Sequence, residues 1–169
     1  MADLAVTTIG ADQPGIIARV TGVLLEVGGN IEDSSMTVLR GQFAIVLLVS
    51  ADVEPARLET ALAEATADLE LFVSVREVHE GHRVASPTHV VSVYGADRPG
   101  IVHEVAQELA RHEVNVTDLR TQVLGADVYA MLLEVALPAA LDDEELAVRL
   151  RAAAAGLEVT IRPLDQQVL

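Results

Sequence analysis

Two copies of one short turn carry most of the chemistry this sequence offers. Gly10-Ala11-Asp12-Gln13-Pro14-Gly15-Ile16 recurs as Gly95-Ala96-Asp97-Arg98-Pro99-Gly100-Ile101. In each copy an acidic side chain precedes a Pro-Gly pair, and an apolar run with helical spacing follows. The first N–H groups of a helix have no partner within it, and together with the helix dipole they favour an anion. Pro14 contributes no N–H; Gly15, Ile16 and Ile17 do. Gly15 also has no side chain to hold a ligand carboxylate away from the backbone. Asp12 can accept from an ammonium group, and Asn30, at the start of the following strand, both donates and accepts. Donors for a carboxylate, beside a carboxylate and an amide, suit a zwitterion such as an amino acid. Asp97, Gly100, Ile101, Val102 and Asn115 stand in the same order further along. The same residue types have plain structural uses. Asp is a favoured helix N-cap, Pro-Gly is ordinary turn chemistry, and Asn can cap a loop entering a strand. From the residues alone both readings stand.

Other groups offer less. His79-Glu80-Gly81-His82, with His89 beyond it, falls at a strand end and a polar stretch. A zinc site needs three or four ligands in fixed geometry, so no metal is expected there. His103 and His112 share no close face of their helix and read as surface or boundary residues. Ser34, Ser35 and Ser50 lack a nucleophile signature, and no Gly-rich turn fits a dinucleotide or nucleoside-triphosphate fingerprint. An enzyme would have to use Asp12 or Asp97 as a base, and nothing in the sequence supports that. The chain is therefore expected to be non-catalytic and to need no cofactor.

The formal net charge is −15, with 11 basic residues, all of them scattered Arg. A phosphate backbone or an anionic membrane needs clustered cations, so neither is an expected partner. Cys is absent, which excludes disulfides and thiolate chemistry. Hydrophobic residues make up 51% and aromatics 2%, so the core must be aliphatic. The first residues lack the basic start and apolar stretch of a signal peptide, and the longest strongly apolar run, Phe43 to Val49, is too short to span a bilayer. A cytoplasmic location is expected.

The elements that hold the two turns repeat as well. Val20, Leu24 and Asn30 match Val105, Leu109 and Asn115, and Leu47-Leu48 match Leu132-Leu133 at the same spacing. Leu58, Leu62, Ala65 and Leu69 match Leu146, Leu150, Ala153 and Leu157 after three extra residues, placed around Leu137-Pro138-Ala139-Ala140. A strand is expected over 4–9, a helix over 14–27, a strand over 30–40, a turn at Gly41-Gln42 and a strand over 43–50. Pro55 opens a second helix, and Leu71 to Val78 form a last strand. The second half repeats this over 88–95, 99–112, 114–124, 127–137, 142–155 and 157–163. The fold class is α+β, with two ferredoxin-like βαββαβ domains over 1–80 and 88–169 and a linker over 81–87. Each has an antiparallel sheet with helices on one face.

This element order, the strand ending in Gly-Ala-Asp-x-Pro-Gly-Ile, the apolar helix and the Asn-Ile or Asn-Val opening the second strand resemble the ACT domain, a small regulatory fold of amino-acid metabolism. The resemblance covers nearly the whole chain, twice. Its Asp-x-Pro-Gly-Ile form is most similar to the glycine cleavage repressor-like group. It is also similar to ACT regions of formyltetrahydrofolate deformylase and uridylyltransferase-type nitrogen sensors, which carry catalytic domains for which these 169 residues have no room. The resemblance implies side-by-side domain pairing, homo-oligomers, and amino acids bound where the first loop of one domain meets the second strand of its partner. By motif position it implicates Asp12, Gly15, Ile16, Asn30 and Ile31, with Asp97, Gly100, Ile101, Asn115 and Val116. Arg98 either holds a ligand carboxylate or pairs with Asp97. The function the resemblance implies is amino-acid sensing, with glycine or serine as the ligand, and an effect on transcription through a DNA-binding protein partner. The alternative is an ACT interaction or dimerisation module without a ligand.

Overall fold

The computed structural model describes residues 2–78, 86–125 and 127–164. The chain divides into two compact units, Met1–His82 and Arg83–Leu169. Most of the expected linker and the His79–His82 cluster lie outside the described residues.

The first unit runs β1 (Ala2–Ala11), α1 (Ile16–Glu26), β2 (Asn30–Leu39), β3 (Gln42–Ala51), α2 (Pro55–Ala65), a 3-10 turn (Ala67–Leu69) and β4 (Phe72–Glu77). The second runs β5 (His89–Ala96), α3 (Ile101–Arg111), β6 (Asn115–Leu124), β7 (Val128–Ala136), α4 (Asp143–Ala153) and β8 (Glu158–Pro163). The sheets have the orders β2-β3-β1-β4 and β6-β7-β5-β8, with antiparallel ladders throughout. The α+β class and the split βαβ order are as the sequence indicates.

Period-two alternation sets which face of each sheet is covered. Leu4 and Val6 on β1 and Phe43, Ile45, Leu47 and Val49 on β3 point to one side, where they meet Ile16, Val20, Leu24, Leu58 and Leu62 from the two helices. Val91, Val93, Met131, Leu133 and Val135 do the same in the second unit, against Ile101, Val105, Leu109, Leu146 and Leu150. Removal of this aliphatic surface from water is the main force holding each unit together. Thr8, Ser50, Thr66 and Glu108 are polar residues buried among the described ones, and one hydroxyl stands out. The Thr8 hydroxyl is fully buried and has no hydrogen-bond partner among the described residues, whereas Val93 takes its place in the second unit.

Three local details depart from the expectation. The first-unit hairpin turn is Arg40-Gly41, both at positive φ (50° and 79°), with Gln42 already paired to Leu39. That is the turn geometry that matches strand twist. In the second unit Leu124 pairs with Val128, so this turn is one residue longer. The added residue shifts the repeat: Leu47, opposite Val6, is equivalent to Leu133, opposite Val91, and not to Leu132. Only part of the insertion therefore lies before α4. Finally, α1 begins at Ile16 and α3 at Ile101, because Gly15 and Gly100 hold φ of 94° and 95° and act as N-caps. Pro14 and Pro99 stand in the turn before the helix and not in its first turn.

Candidate functional site

Each glycine of the repeated turn has its own structural cause. A Cβ on Gly10 would lie 2.5 Å from Leu71 Cδ2, and one on Gly95 would lie 2.6 Å from Leu157 Cδ2. These glycines admit the leucine that precedes the last strand of each unit. Gly15 and Gly100 are needed for their left-handed backbone.

Asp12 does not cap α1. The N-cap is Gly15, without a side-chain bond, and the Asp12 backbone N–H instead donates to Gly41 O at 2.9 Å. Asp97 repeats this with Asp127 O, also at 2.9 Å. Both carboxylates are exposed and make no ion pair among the described residues. Arg19 N–H is the first to close onto the α1 helix, at Gly15 O, 3.0 Å away. The N–H groups of Ile16, Ile17 and Ala18 thus have no helical acceptor. The Ile16 and Ile101 side chains are core anchors at 2% exposure, so only their backbones are accessible.

Beside this end of α1 lies an open recess of about 450 Å³, lined by Asp12, Gln13, Gly15, Ile16, Ile17, Ala18, Met36 and Phe43. A Cβ on Gly15 would meet nothing within 4 Å, so the approach to the backbone is clear. Gln13, on the lining, donates through Nε2 to Leu69 O at 3.2 Å. Arg19, one turn into the helix, donates to Ala65 O at 3.3 Å and pairs with Asp68. Met36 and Phe43 were not singled out in the sequence, and Ile17 only for its backbone N–H. The apolar types of Met36 and Phe43 read as core, and only the hairpin register brings them to the loop.

The second unit differs at the same place. Arg98 neither stands free nor pairs with Asp97. Its guanidinium grips Glu104 at 2.8 and 2.6 Å in a two-pronged pair. Glu104 lies one turn into α3, and helical side chains lean toward the N-terminus, within reach of the loop. Arg98 holds the Glu104 carboxyl below its usual pKa range, chiefly through this hydrogen bond. Tyr129 stands where the first unit has Phe43, and burial pushes its phenol pKa up.

Asn30 is not near Asp12 within the first unit. It pairs with Ser50, as does Asp3 at the opposite end of β1 from Asp12. At strand rise the separation is on the order of 30 Å. Asn115, opposite Ala136, is likewise at the far end of its sheet. Beside each Asn a β-bulge interrupts the edge strand, between Ile31 and Asp33 and between Val116 and Asp118. The loop set and the Asn set are thus two separate clusters in each unit. Among the described residues no group of three or more His, Cys, Asp or Glu could hold a metal ion. No described helix is long and apolar enough to cross a membrane.

Comparison with known proteins agrees with this geometry. The ACT domain model matches residues 2–76 and again 88–163. A UPF0237 protein of Methanopyrus kandleri is 44% identical over 90 residues, covering 50% of this chain and 100% of the relative. The glycine cleavage system transcriptional repressor of Escherichia coli is 32% identical over 123 residues, covering 70% of this chain and 65% of the repressor's own length. The crystal structure of an unknown protein from Galdieria sulphuraria superposes with a TM-score of 0.83 at 26% identity, covering 96% of this chain and 98% of that one. Two domain matches over most of the sequence, on two units of the same βαββαβ order, mean that this chain belongs to the ACT domain family.

Proposed function

We propose that this protein is a non-catalytic regulator that binds an amino acid at the loop between β1 and α1 and alters a protein partner's activity in response. The observation that carries this reading is the first-unit recess. There an acidic side chain without an ion pair, unpaired helical N–H groups and apolar walls meet at an open glycine. Those features match the ammonium, carboxylate and side chain of an α-amino acid. The relationship to the Escherichia coli repressor supports an output in transcription of amino-acid metabolism. The charge of −15 and the lack of Lys favour action through a DNA-binding partner over direct contact with DNA. A ligand can shift such a partner equilibrium only by its differential affinity for the two states.

The test is isothermal titration of the whole chain with the twenty amino acids, using Asp12→Ala and Asp97→Ala as controls. Saturable heat that disappears in Asp12→Ala supports the reading; absence of heat and of any thermal shift across the panel refutes it. One observation favours a second reading, a ligand-free interaction module: β2 is an exposed ten-residue edge strand, and the backbone groups of its alternate residues that face away from β3 have no strand partner among the described residues of the unit. Assembly indifferent to every amino acid would favour that alternative.

A further inference from the structure

We infer that the first-unit recess takes an α-amino acid with an aliphatic or thioether side chain, and that the corresponding place in the second unit is closed to it. The inference rests on the sensing reading above and names its ligand class and stoichiometry.

The walls decide the class. Ile17, Ala18, Met36 and Phe43 present carbon to the recess, and Ile17 and Met36 are 40% and 54% exposed. Glycine or serine would leave that surface wet, whereas leucine or methionine would cover it. Asp12 lies at the rim, and the Arg19 guanidinium is already held by Asp68 and Ala65. The polar end therefore favours an ammonium group at Asp12, with the ligand carboxylate toward the free N–H groups of the first turn.

The ladders identify the second-unit counterparts. Phe43 opposite Gly10 becomes Tyr129 opposite Gly95, and Met36 opposite Ile45 becomes Thr121 opposite Met131. By position after the capping glycine, Ala18 becomes His103 and Arg19 becomes Glu104. Each apolar wall but one has turned polar. Glu104 Oε1 also lies 3.7 Å from the Cβ position of Gly100, where the first unit has open space. Arg98 fastens it there. The second loop thus holds a paired Glu104 side chain at the approach to its glycine, in the space an incoming carboxylate would need.

The test uses the whole isotopically labelled chain, titrated with glycine, serine, alanine, valine, leucine and methionine. Affinity is read by calorimetry and location by amide chemical shifts. Leucine or methionine should bind roughly 10- to 100-fold tighter than glycine. One ligand should bind per chain, moving the amides of Ile16, Ile17 and Ala18 and leaving those of Ile101, Val102 and His103 in place. Met36→Asp, on an exposed edge position, should erase the preference without unfolding the protein. Tighter binding of glycine or serine, or matching shifts at both loops, would overturn the inference and leave the sensing reading intact. Silence from all six would overturn the inference, and silence across all twenty amino acids would refute the sensing reading with it.

Discussion

Gly15 and Gly22 lie about two turns apart along α1, and the same substitution should act on them with opposite sign. A Cβ at either position meets no atom within 4 Å, so sterics beyond the residue itself contribute nothing. Backbone conformation decides the outcome. Gly15 holds φ of 94° and ψ of −7°, where a β-carbon costs about 1–2 kcal/mol. Loss of freedom in the unfolded chain offsets about 0.4–1 kcal/mol of that. Gly15→Ala should therefore destabilise by about 0.5–1 kcal/mol. Gly22 lies inside the helix at ordinary φ, where alanine is better than glycine by about 0.5–1 kcal/mol. The assay is urea unfolding of the full chain followed by far-ultraviolet circular dichroism. With a slope of about 2 kcal/mol/M, the midpoint should fall for Gly15→Ala and rise for Gly22→Ala by about 0.3–0.5 M each. Midpoints moving in the same direction would refute the argument, and with it the assignment of Gly15 as a left-handed cap.

Thr8→Val removes a buried hydroxyl that has no partner and should stabilise by about 1 kcal/mol, seen as a higher melting temperature; an unchanged or lower one would mean that the hydroxyl is satisfied. Asp142 accepts from Glu145 N at 2.9 Å at the start of α4, so Asp142→Ala should cost about 1 kcal/mol, while Glu54→Ala, at a cap without such a bond, should be near neutral. Glu108 is held below its ordinary pKa by Arg111 first, with His112 adding to the effect. Its contribution is therefore present above the unfolded carboxylate value and lost as pH falls through the lowered folded one. The stability gap between wild type and Glu108→Gln should shrink from pH 7 to pH 3 in urea titrations, and a constant gap would contradict the pairing.

The repeat and the element order are legible because aliphatic periodicity is strong in every element and the Pro-Gly turn punctuates it twice. What the sequence conceals are features fixed by a single dihedral or register. Pro14 and Asp12 look like the opening of a helix, yet the left-handed Gly15 delays the helix to Ile16 and hands Asp12 N–H to the hairpin. Leu47-Leu48 and Leu132-Leu133 look equivalent, yet one added turn residue slides the second ladder past the first. The acidic and glycine members of the candidate loop are readable from the motif. Its apolar walls are not, since Met36 and Phe43 come from strands well along the chain and their side chains resemble core. Arg98 was visible as an unusual residue, but its partner Glu104 appears only once α3 has formed.

The loop between β1 and α1 is stitched on three sides: Asp12 N–H to Gly41, the Gln13 amide to Leu69, and the face of Gly10 against Leu71. These three contacts make it a fixed cradle. A ligand entering it would meet a preformed surface, so its capture should follow one phase whose rate rises linearly with concentration, free of a unimolecular step that plateaus. On the proposed reading such a receptor would report metabolite levels in real time, and any delay in the response would arise downstream, in the partner.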